Sequence, residues 1–457
     1  MTPLALILLA AAAGWVPARW NSSDPKSLDA LKGGAVNCVL VESSHWDPTF
    51  IKTAGRYGIA VLGLVQPGKG AEEKARRASQ LGLDGLAVEG DFDQPDLKRI
   101  RAAGGSLILV ELPARGAIRL DSRDPVVGTW QGLWPGIVIE HGGGAATAGP
   151  TSTPWINTNT GFLRFARAAT AAAVWVGERP PPGSVFPTAR YELSVADAAM
   201  AGARWIIALD SDLERRLLSG DKAARTAWKR IDAQVRYWQN PDWREYRPYS
   251  ELALVQDAGS GGLLSGSILD LLSVLHTAAR PAPTRRLNPG SLQGARVVLN
   301  LDAESVTPAQ RADLEQFTRA GGRVVNPPKG WRFPEVAADQ TTPTRRQLDQ
   351  IQPIWESTYE ATARKNFGVR TFNTASVLFN LMQAPDGRSL LVHLLNYADY
   401  PAEDVTVQAL GKWRRARLYS PDGEARDLPV YPVTDGGREG TGVDIARIRV
   451  AATLRLD

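Results

Sequence analysis

The sequence predicts an α/β protein: a (β/α)8 TIM-type barrel, followed by a small α/β domain and a C-terminal antiparallel β-sandwich. Three observations carry this expectation. Between about residues 36 and 210, short apolar β-branched runs alternate with amphipathic, helix-like stretches, the pattern of βα units on a parallel sheet. A shorter version of that alternation resumes after residue 247. The C-terminal stretch then changes to alternating runs separated by Pro, Asp and Gly turns, which read as antiparallel strands. At 457 residues the chain is long enough to bury more than one core, so two or three domains are expected.

The elements follow in order. MTPLALILLAAAAGWVPARW carries an apolar run from Pro3 to Val16, too short to span a bilayer, and reads as a signal peptide over residues 1–20. No later stretch reaches the roughly 18 apolar residues of a spanning helix, so a secreted or periplasmic chain with no integral membrane segment is expected. The barrel is assigned to residues 21–246. Its candidate strands are residues 35–42, 58–65, 83–90, 106–112, 135–141, 153–159, 171–178 and 204–210. The spacing over 135–178 leaves little room for helices, which predicts a distorted barrel. A helical segment over roughly 212–239 stops at Pro241. The α/β domain is placed at 247–335 and the sandwich at 336–457.

Composition excludes several classes of function. The net charge of +5 is spread along the chain with no Lys/Arg tract interleaved with aromatics, so no nucleic-acid partner is expected. A single cysteine forbids an internal disulfide; Cys38, in the apolar run AVNCVLVE, reads as a buried structural thiol. Four histidines scattered at positions 45, 141, 276 and 393 form no metal constellation, although an acidic rim could hold a calcium ion, and no cofactor is implied. His141-Gly142-Gly143-Gly144 lacks the G-x-S-x-G partner that an esterase needs. Gly259-Ser260-Gly261 lacks the spacing of a dinucleotide site.

The chemistry is expected where the strands end, since barrel enzymes build their sites at the C-terminal rim. Those ends are acidic: Glu42, Glu89 with Asp91, Glu111, Glu140, Glu178 and Asp210. Ending a buried apolar run in a carboxylate is favourable only where it meets solvent, a cation or a substrate. Glu89, Glu111 and Glu140 end three successive candidate strands and are the expected catalytic set, crowding being able to raise one pKa. Glu178, after the seventh run, is a further rim acid, or a turn residue paired with Arg179. Substrate contacts are expected from Glu42, His45, Trp46, Asp91, His141, Asn157, Trp175, Glu178 and Asp210. Indole faces stack on pyranose rings, and Trp134, Trp155 and Trp205 also lie near strand segments, although Trp is mostly a core residue.

LNLDAESVTPAQRADLEQFTRAGGRVV (299–325) and LLVHLLNYADYPAEDVTVQAL (390–410) carry a resemblance. The order barrel, α/β unit, sandwich resembles multi-domain glycoside hydrolases of the β-galactosidase type, which contain a glutamine-amidotransferase-like middle domain. Such barrels commonly place an Asn before the acid/base glutamate, where this chain has Val110 before Glu111. The resemblance implies an enzyme that cleaves O-glycosidic bonds of an oligo- or polysaccharide with paired carboxylates, and the topology of the resembling barrels makes Glu178 a further candidate nucleophile. The middle unit has no cysteine nucleophile of its own and is expected to be structural, with association into a homo-oligomer left open. A non-catalytic carbohydrate-binding barrel and a cell-surface scaffold are the competing readings.

Overall fold

Eight short runs, most of them too apolar to face water on either side, pair in parallel in the computed structural model. It describes residues 12–137, 140–142, 145–147, 156–256, 266–335, 344–362 and 365–457. The strands are β1 (Pro17–Arg19), β2 (Cys38–Glu42), β3 (Ala60–Val65), β4 (Gly85–Glu89), β5 (Ile108–Leu112), β6 (Val126–Thr129), β7 (Ala173–Val176) and β8 (Arg204–Trp205). They neighbour one another in that order. A parallel bridge between Ala18 and Ile207 closes the ring, with Arg19 N–H donating to Ile207 O (2.8 Å) and Ile207 N–H to Pro17 O (3.0 Å). The result is a closed barrel, which leaves no unpaired sheet edge.

Alternate residues of each strand converge on one interior core. Cys38 and Leu40, Leu62 and Leu64, Ala87, Ile108, Val110 and Leu112, Val126, Trp175 and Ile206 form a single buried cluster. The register carries this face onward: Arg19 stands beside Leu40, Glu42 beside Leu64 and Glu89 beside Leu112, and directly paired residues of parallel strands point the same way. Ala12 and Trp15 join the same cluster, and the Arg204 guanidinium donates to Ala13 O and Trp15 O, both at 2.6 Å. The chain ahead of β1 therefore packs at the N-terminal end of the barrel.

This arrangement corrects three expectations. First, Pro17–Arg19, placed in the signal peptide, is a barrel strand, so the barrel begins before residue 21; residues 1–11 lie outside the described chain. Second, the expected strands at 135–141 and 153–159 are absent from the barrel sheet. Their places are taken by β1 and by the four-residue β6, too short to stand out in the sequence. Third, the segment Pro135–Ala169 groups with the C-terminal part of the chain instead of with the barrel unit, which comprises residues up to Trp134 and Thr170–Trp238. In it, Gly136–Ile137 pairs antiparallel with Ile156–Asn157, and Glu140–Gly142 with Ala145–Thr147.

The barrel helices begin at side-chain caps. Asp47 accepts from Phe50 N–H (2.9 Å) at the start of α1 (Pro48–Arg56), and Asp93 from Asp96 N–H (2.6 Å) at the start of α3 (Gln94–Gly104). Each satisfies a backbone donor that the helix itself cannot. Between them α2 (Ala71–Leu81) ends on Gly82, whose φ of +72° only glycine adopts freely. The helices α4 (Thr188–Met200), α5 (Ser211–Leu218) and α6 (Lys222–Trp238) complete the unit.

Besides those two antiparallel strand pairs, the second unit contains a four-stranded parallel sheet and two larger antiparallel sheets. In the parallel sheet the order is Arg280–Pro283, Leu252–Gln256, Val297–Asn300, Arg323–Val325. Both of its faces are buried, one under Leu269, Leu272, Ile351 and Ile354, the other under Leu292 and Leu314. Arg280–Pro283 holds two prolines, which in the sequence argue against a strand; it lies at the sheet edge, where a missing N–H is tolerated. The helix Arg345–Thr362 supplies Leu348, Ile351 and Ile354 to this core, so the α/β domain extends past residue 335; apart from Arg247–Pro248, which pairs with Val377–Gln383, the sandwich strands start at Val369. Sandwich sheets of six and four strands enclose Val392, Leu394, Val405, Val407, Ile445 and Leu454. Phe165, from the helix Thr160–Ala169, joins the α/β core. That helix meets the start of Ser267–Val274 at Gly161 and Gly266, where Asp270 accepts from Gly161 N–H (2.9 Å).

Gly63 of β3 points out of the barrel, and a Cβ there would lie 2.4 Å from Trp46 Cζ2. Gly63→Ala is expected to destabilise the protein by about 1–3 kcal/mol, as overpacking does. Chemical denaturation against wild type measures it.

Candidate active site

Parity along the strands decides which acids can act together. Glu89 and Glu42 share the interior face with Ala87 and Leu64. Glu111 stands beside Val88 and Val127, on the opposite face of the sheet. There its carboxylate meets Arg101 of α3 at 3.4 Å and pairs with Arg119. The expected grouping of Glu89 with Glu111 is therefore corrected: a period-two strand sends the two to opposite sides. Glu140 and His141 lie on the antiparallel hairpin of the second unit, as Asn157 lies on its neighbouring strand pair, so Glu140 does not end a strand adjacent to β5. The side chains of Glu140 and His141, Trp155, and Gly259-Ser260-Gly261 are outside the described residues.

At the interior rim the charges form a chain. Arg19 Nη2 ion-pairs with Glu89 Oε2; Arg179 Nη2 donates to Glu89 Oε1 and to Glu42 Oε1, each at 3.1 Å. Two carboxylates sharing one nitrogen at that distance hold these oxygens no more than about 6.2 Å apart. Glu89 is only 8% exposed and Arg19 7%, so each ion needs the other to offset desolvation. Burial works against the charged form of Arg19, lowering its pKa, with Glu89 opposing that shift. The sequence does not mark Arg19 or Arg179 as site residues, one being hidden in the apolar N-terminal segment and the other reading as a turn partner of Glu178.

Glu178 follows β7 and is half-buried. Burial raises its carboxyl pKa to about 7; the Arg179 N–H and the Arg19 and Arg115 charges oppose this, and the Glu89 charge adds to it. The N–H of Arg179 donates to its Oε1 at 3.1 Å. Arg115 is itself buried, its N–H and Nε donating to Gln131 Oε1 (2.9 Å) and Gln131 O (3.2 Å).

The remaining candidates hold the rim together. Asp210 caps α5, accepting from Leu213 N–H (3.0 Å), Asp212 N–H (3.1 Å), Phe186 N–H (3.3 Å) and the Tyr191 hydroxyl (2.6 Å). Burial opposes its charge, but these donors outweigh it and keep the carboxyl below its usual pKa. Asp91 is exposed and accepts from Ala114 N–H at 3.0 Å, joining the loops after β4 and β5. His45 Nδ1 lies 3.2 Å from Ser44 Oγ in the turn Ser43–His45. Trp46 is buried against Gly63 and donates to Val41 O at 2.9 Å, and Trp175 is a fully buried member of the interior core. Neither indole is free to line a sugar subsite. Trp134 and Trp205 pack edge-on at 5.3 Å in an aromatic cluster with Phe186 and Tyr191. Among the described residues, no group of three or more His, Cys, Asp or Glu is placed to hold a metal ion.

No protein-family model matches the sequence, and no curated protein matches it. Solved structures do resemble the fold. An α-L-fucosidase isoenzyme 2 from Paenibacillus thiaminolyticus aligns at 12% identity with a TM-score of 0.63, covering 97% of this chain and 99% of that one. A rhamnosidase from Novosphingobium sp. PP1Y aligns at 11% identity (TM-score 0.44; 90% and 46% covered). The glycoside hydrolase domain of PelA from Pseudomonas aeruginosa aligns at 13% (TM-score 0.28; 42% and 94%). The likeness is one of fold: the chain shares the multi-domain architecture of that α-L-fucosidase structure.

Breaking the rim pairs is expected to have unequal costs. Arg19→Ala, which removes a buried partner of Glu89, costs about 3–5 kcal/mol. Arg179→Ala, at a half-exposed side chain, costs about 1 kcal/mol or less. Urea unfolding of both variants measures the difference.

Proposed function

We propose that the chain is a glycoside hydrolase in which Glu178 and Glu89 are the working carboxylates and Glu42 lies beside them. The supporting observation is a half-buried carboxyl with a pKa of about 7 within the field of an ion-paired, inward-facing carboxylate, at the C-terminal rim of a closed barrel. Glycosidic cleavage needs an acid that holds its proton near neutrality and a second group that stays ionised. Glu178 protonates the leaving oxygen. Glu89, oriented by Arg19 and Arg179, attacks the anomeric carbon or activates a water. The substrate class is an oligo- or polysaccharide. Export is part of the proposal, supported by the apolar run Pro3–Val16.

The test is hydrolysis of a panel of aryl glycosides and oligosaccharides by wild type, Glu89→Gln, Glu178→Gln and Glu111→Gln. The first two variants should lose at least about a hundredfold in kcat, as removal of a general acid or base does, while Glu111→Gln keeps most of its activity. A raised acid pKa means that the protonated form persists up to about pH 7. kcat/KM should thus fall as pH rises through that value, and Glu178→Gln should abolish the limb. A wild type silent on the whole panel, or a Glu111→Gln variant as impaired as Glu89→Gln, refutes this assignment.

A further inference from the structure

A cleft of about 190 Å³ opens at the C-terminal rim, between the chain segments that leave β1, β7 and β8. Arg19 and Arg179, both bonded to Glu89, line it, so an occupant lies one side chain away from a proposed working carboxylate. The rest of the lining is of two kinds. The turn Pro180–Gly183, with Ala208 and Leu209, offers no polar side chain. Its shape is fixed, because each proline ring locks φ and the Ser184 N–H and hydroxyl both donate to Pro181 O, at 3.0 and 2.7 Å. Asn21, just past β1, and Ser211 and Glu214 of α5 supply polar groups. Asn21 holds Glu214 in place: its backbone N–H donates to Oε1 (3.3 Å), and its Nδ2 to Oε1 (3.1 Å) and Oε2 (2.9 Å). That clamp commits only the donors of Asn21. Its Oδ1 has no hydrogen-bond partner among the described residues, and Glu214 Oε2 accepts from Nδ2 alone; a carboxylate oxygen has room for a second donor. Charge narrows the ligand further. Two guanidiniums and the two carboxylates of Asp210 and Glu214 share the lining, so an anion and a cation each meet like charges, which costs binding energy. An uncharged ligand meets no such penalty.

We propose that this cleft is a subsite for one neutral pyranose unit, with the proline turn against the C–H face of the ring and Asn21 and Glu214 accepting from its hydroxyls. The proposal rests on the glycosidase reading of the same rim. Small-ligand sites combine an apolar surface with a few fixed polar groups that set orientation, and a pyranose carries the matching apolar face and polar edge. Asn21 Oδ1 belongs to the amide that donates to Glu214 Oε2, so the two acceptors lie side by side and suit two hydroxyls of one ring. A hydroxyl that donates to either remains an acceptor, which Ser211 or the half-exposed Arg179 can use.

Calorimetric titration with the methyl pyranosides of glucose, galactose, mannose, xylose and fucose tests it without requiring turnover. At least one should bind at millimolar concentration or below, and the uronic-acid and amino-sugar counterparts of that glycoside at least about tenfold more weakly, as one like-charge contact costs. Asn21 is exposed and Glu214 partly so, so Asn21→Ala and Glu214→Ala should fold, which circular dichroism checks. Affinity should fall about threefold or more in Asn21→Ala, the size of one neutral hydrogen bond, and about tenfold or more in Glu214→Ala, which loses a charged one. Glu111→Gln, on the outer face of the sheet, should bind as wild type does. Deleting the contacted hydroxyl from the glycoside should weaken binding to wild type but not to Glu214→Ala; should that variant fail to fold, Asn21→Ala decides. No neutral glycoside bound by wild type, unchanged affinity in the folded variants, or a uronate or amino sugar bound as tightly overturns the proposal. Glycoside turnover with kcat/KM unchanged in Asn21→Ala and Glu214→Ala leaves the glycosidase reading standing and sinks this one; sugar binding that both variants weaken, without turnover of any glycoside, does the reverse.

Discussion

The buried pair of Arg19 and Glu89 is the constraint on which the barrel end depends. Two opposite charges, each more than nine-tenths withdrawn from water, are tolerable only together, because isolating either one costs several kcal/mol. Arg19 reaches Glu89 because β1 is the strand that closes the ring through Ala18 and Ile207. Closure, burial of the N-terminal residues and the placement of the rim charges are thus linked. Losing β1 would open two sheet edges and leave Glu89 with only the half-exposed Arg179.

Around that pair the barrel separates structural acids from available ones by simple means. Pleating sends Glu111 outward to arginines near α3, where it fastens a helix and a loop to the sheet. Helix capping consumes Asp210, and a loop-to-loop hydrogen bond consumes Asp91. What remains facing inward is Glu42 and Glu89 under two arginines, with Glu178 at the end of β7, raised in pKa by burial. A carboxyl raised in pKa by burial thus lies in the field of another that is ion-paired to two arginines.

Packing in the second unit follows the same logic of small residues and satisfied backbone. A Cβ on Gly161 would lie 2.2 Å from Gly266 O, so the helices Thr160–Ala169 and Ser267–Val274 approach through glycine, and Asp270 caps the first from the second. The α/β sheet is covered on both faces, as an all-parallel sheet must be. Arg438 of the sandwich grips Glu251 with two hydrogen bonds, to Oε2 at 2.5 Å and Oε1 at 2.8 Å, ahead of the first strand of that sheet. This is the bidentate geometry that makes such a pair directional.

Periodicity alone identified the classes of structure. The βα alternation over 36–210 gave six of the eight barrel strands, and the change to alternating runs in the last hundred residues marked the sandwich, because both signals are local to a strand or helix. Glu42, Glu89 and Glu178 were legible as strand-end acids for the same reason. Pairing was not legible. Pro17–Arg19 and Val126–Thr129 are strands only because neighbouring strands accept their hydrogen bonds, while residues 135–141 and 153–159 look like strands and have other partners. Nor did strand-end position distinguish Glu89 from Glu111, since each ends an apolar run and only register decides the face. Arg19 and Arg179 come from opposite ends of the barrel sequence and meet at Glu89 because the ring closes. Sequence determines which residues prefer a buried strand; which charges share the interior is a long-range property of register and closure, and only the tertiary structure decides it.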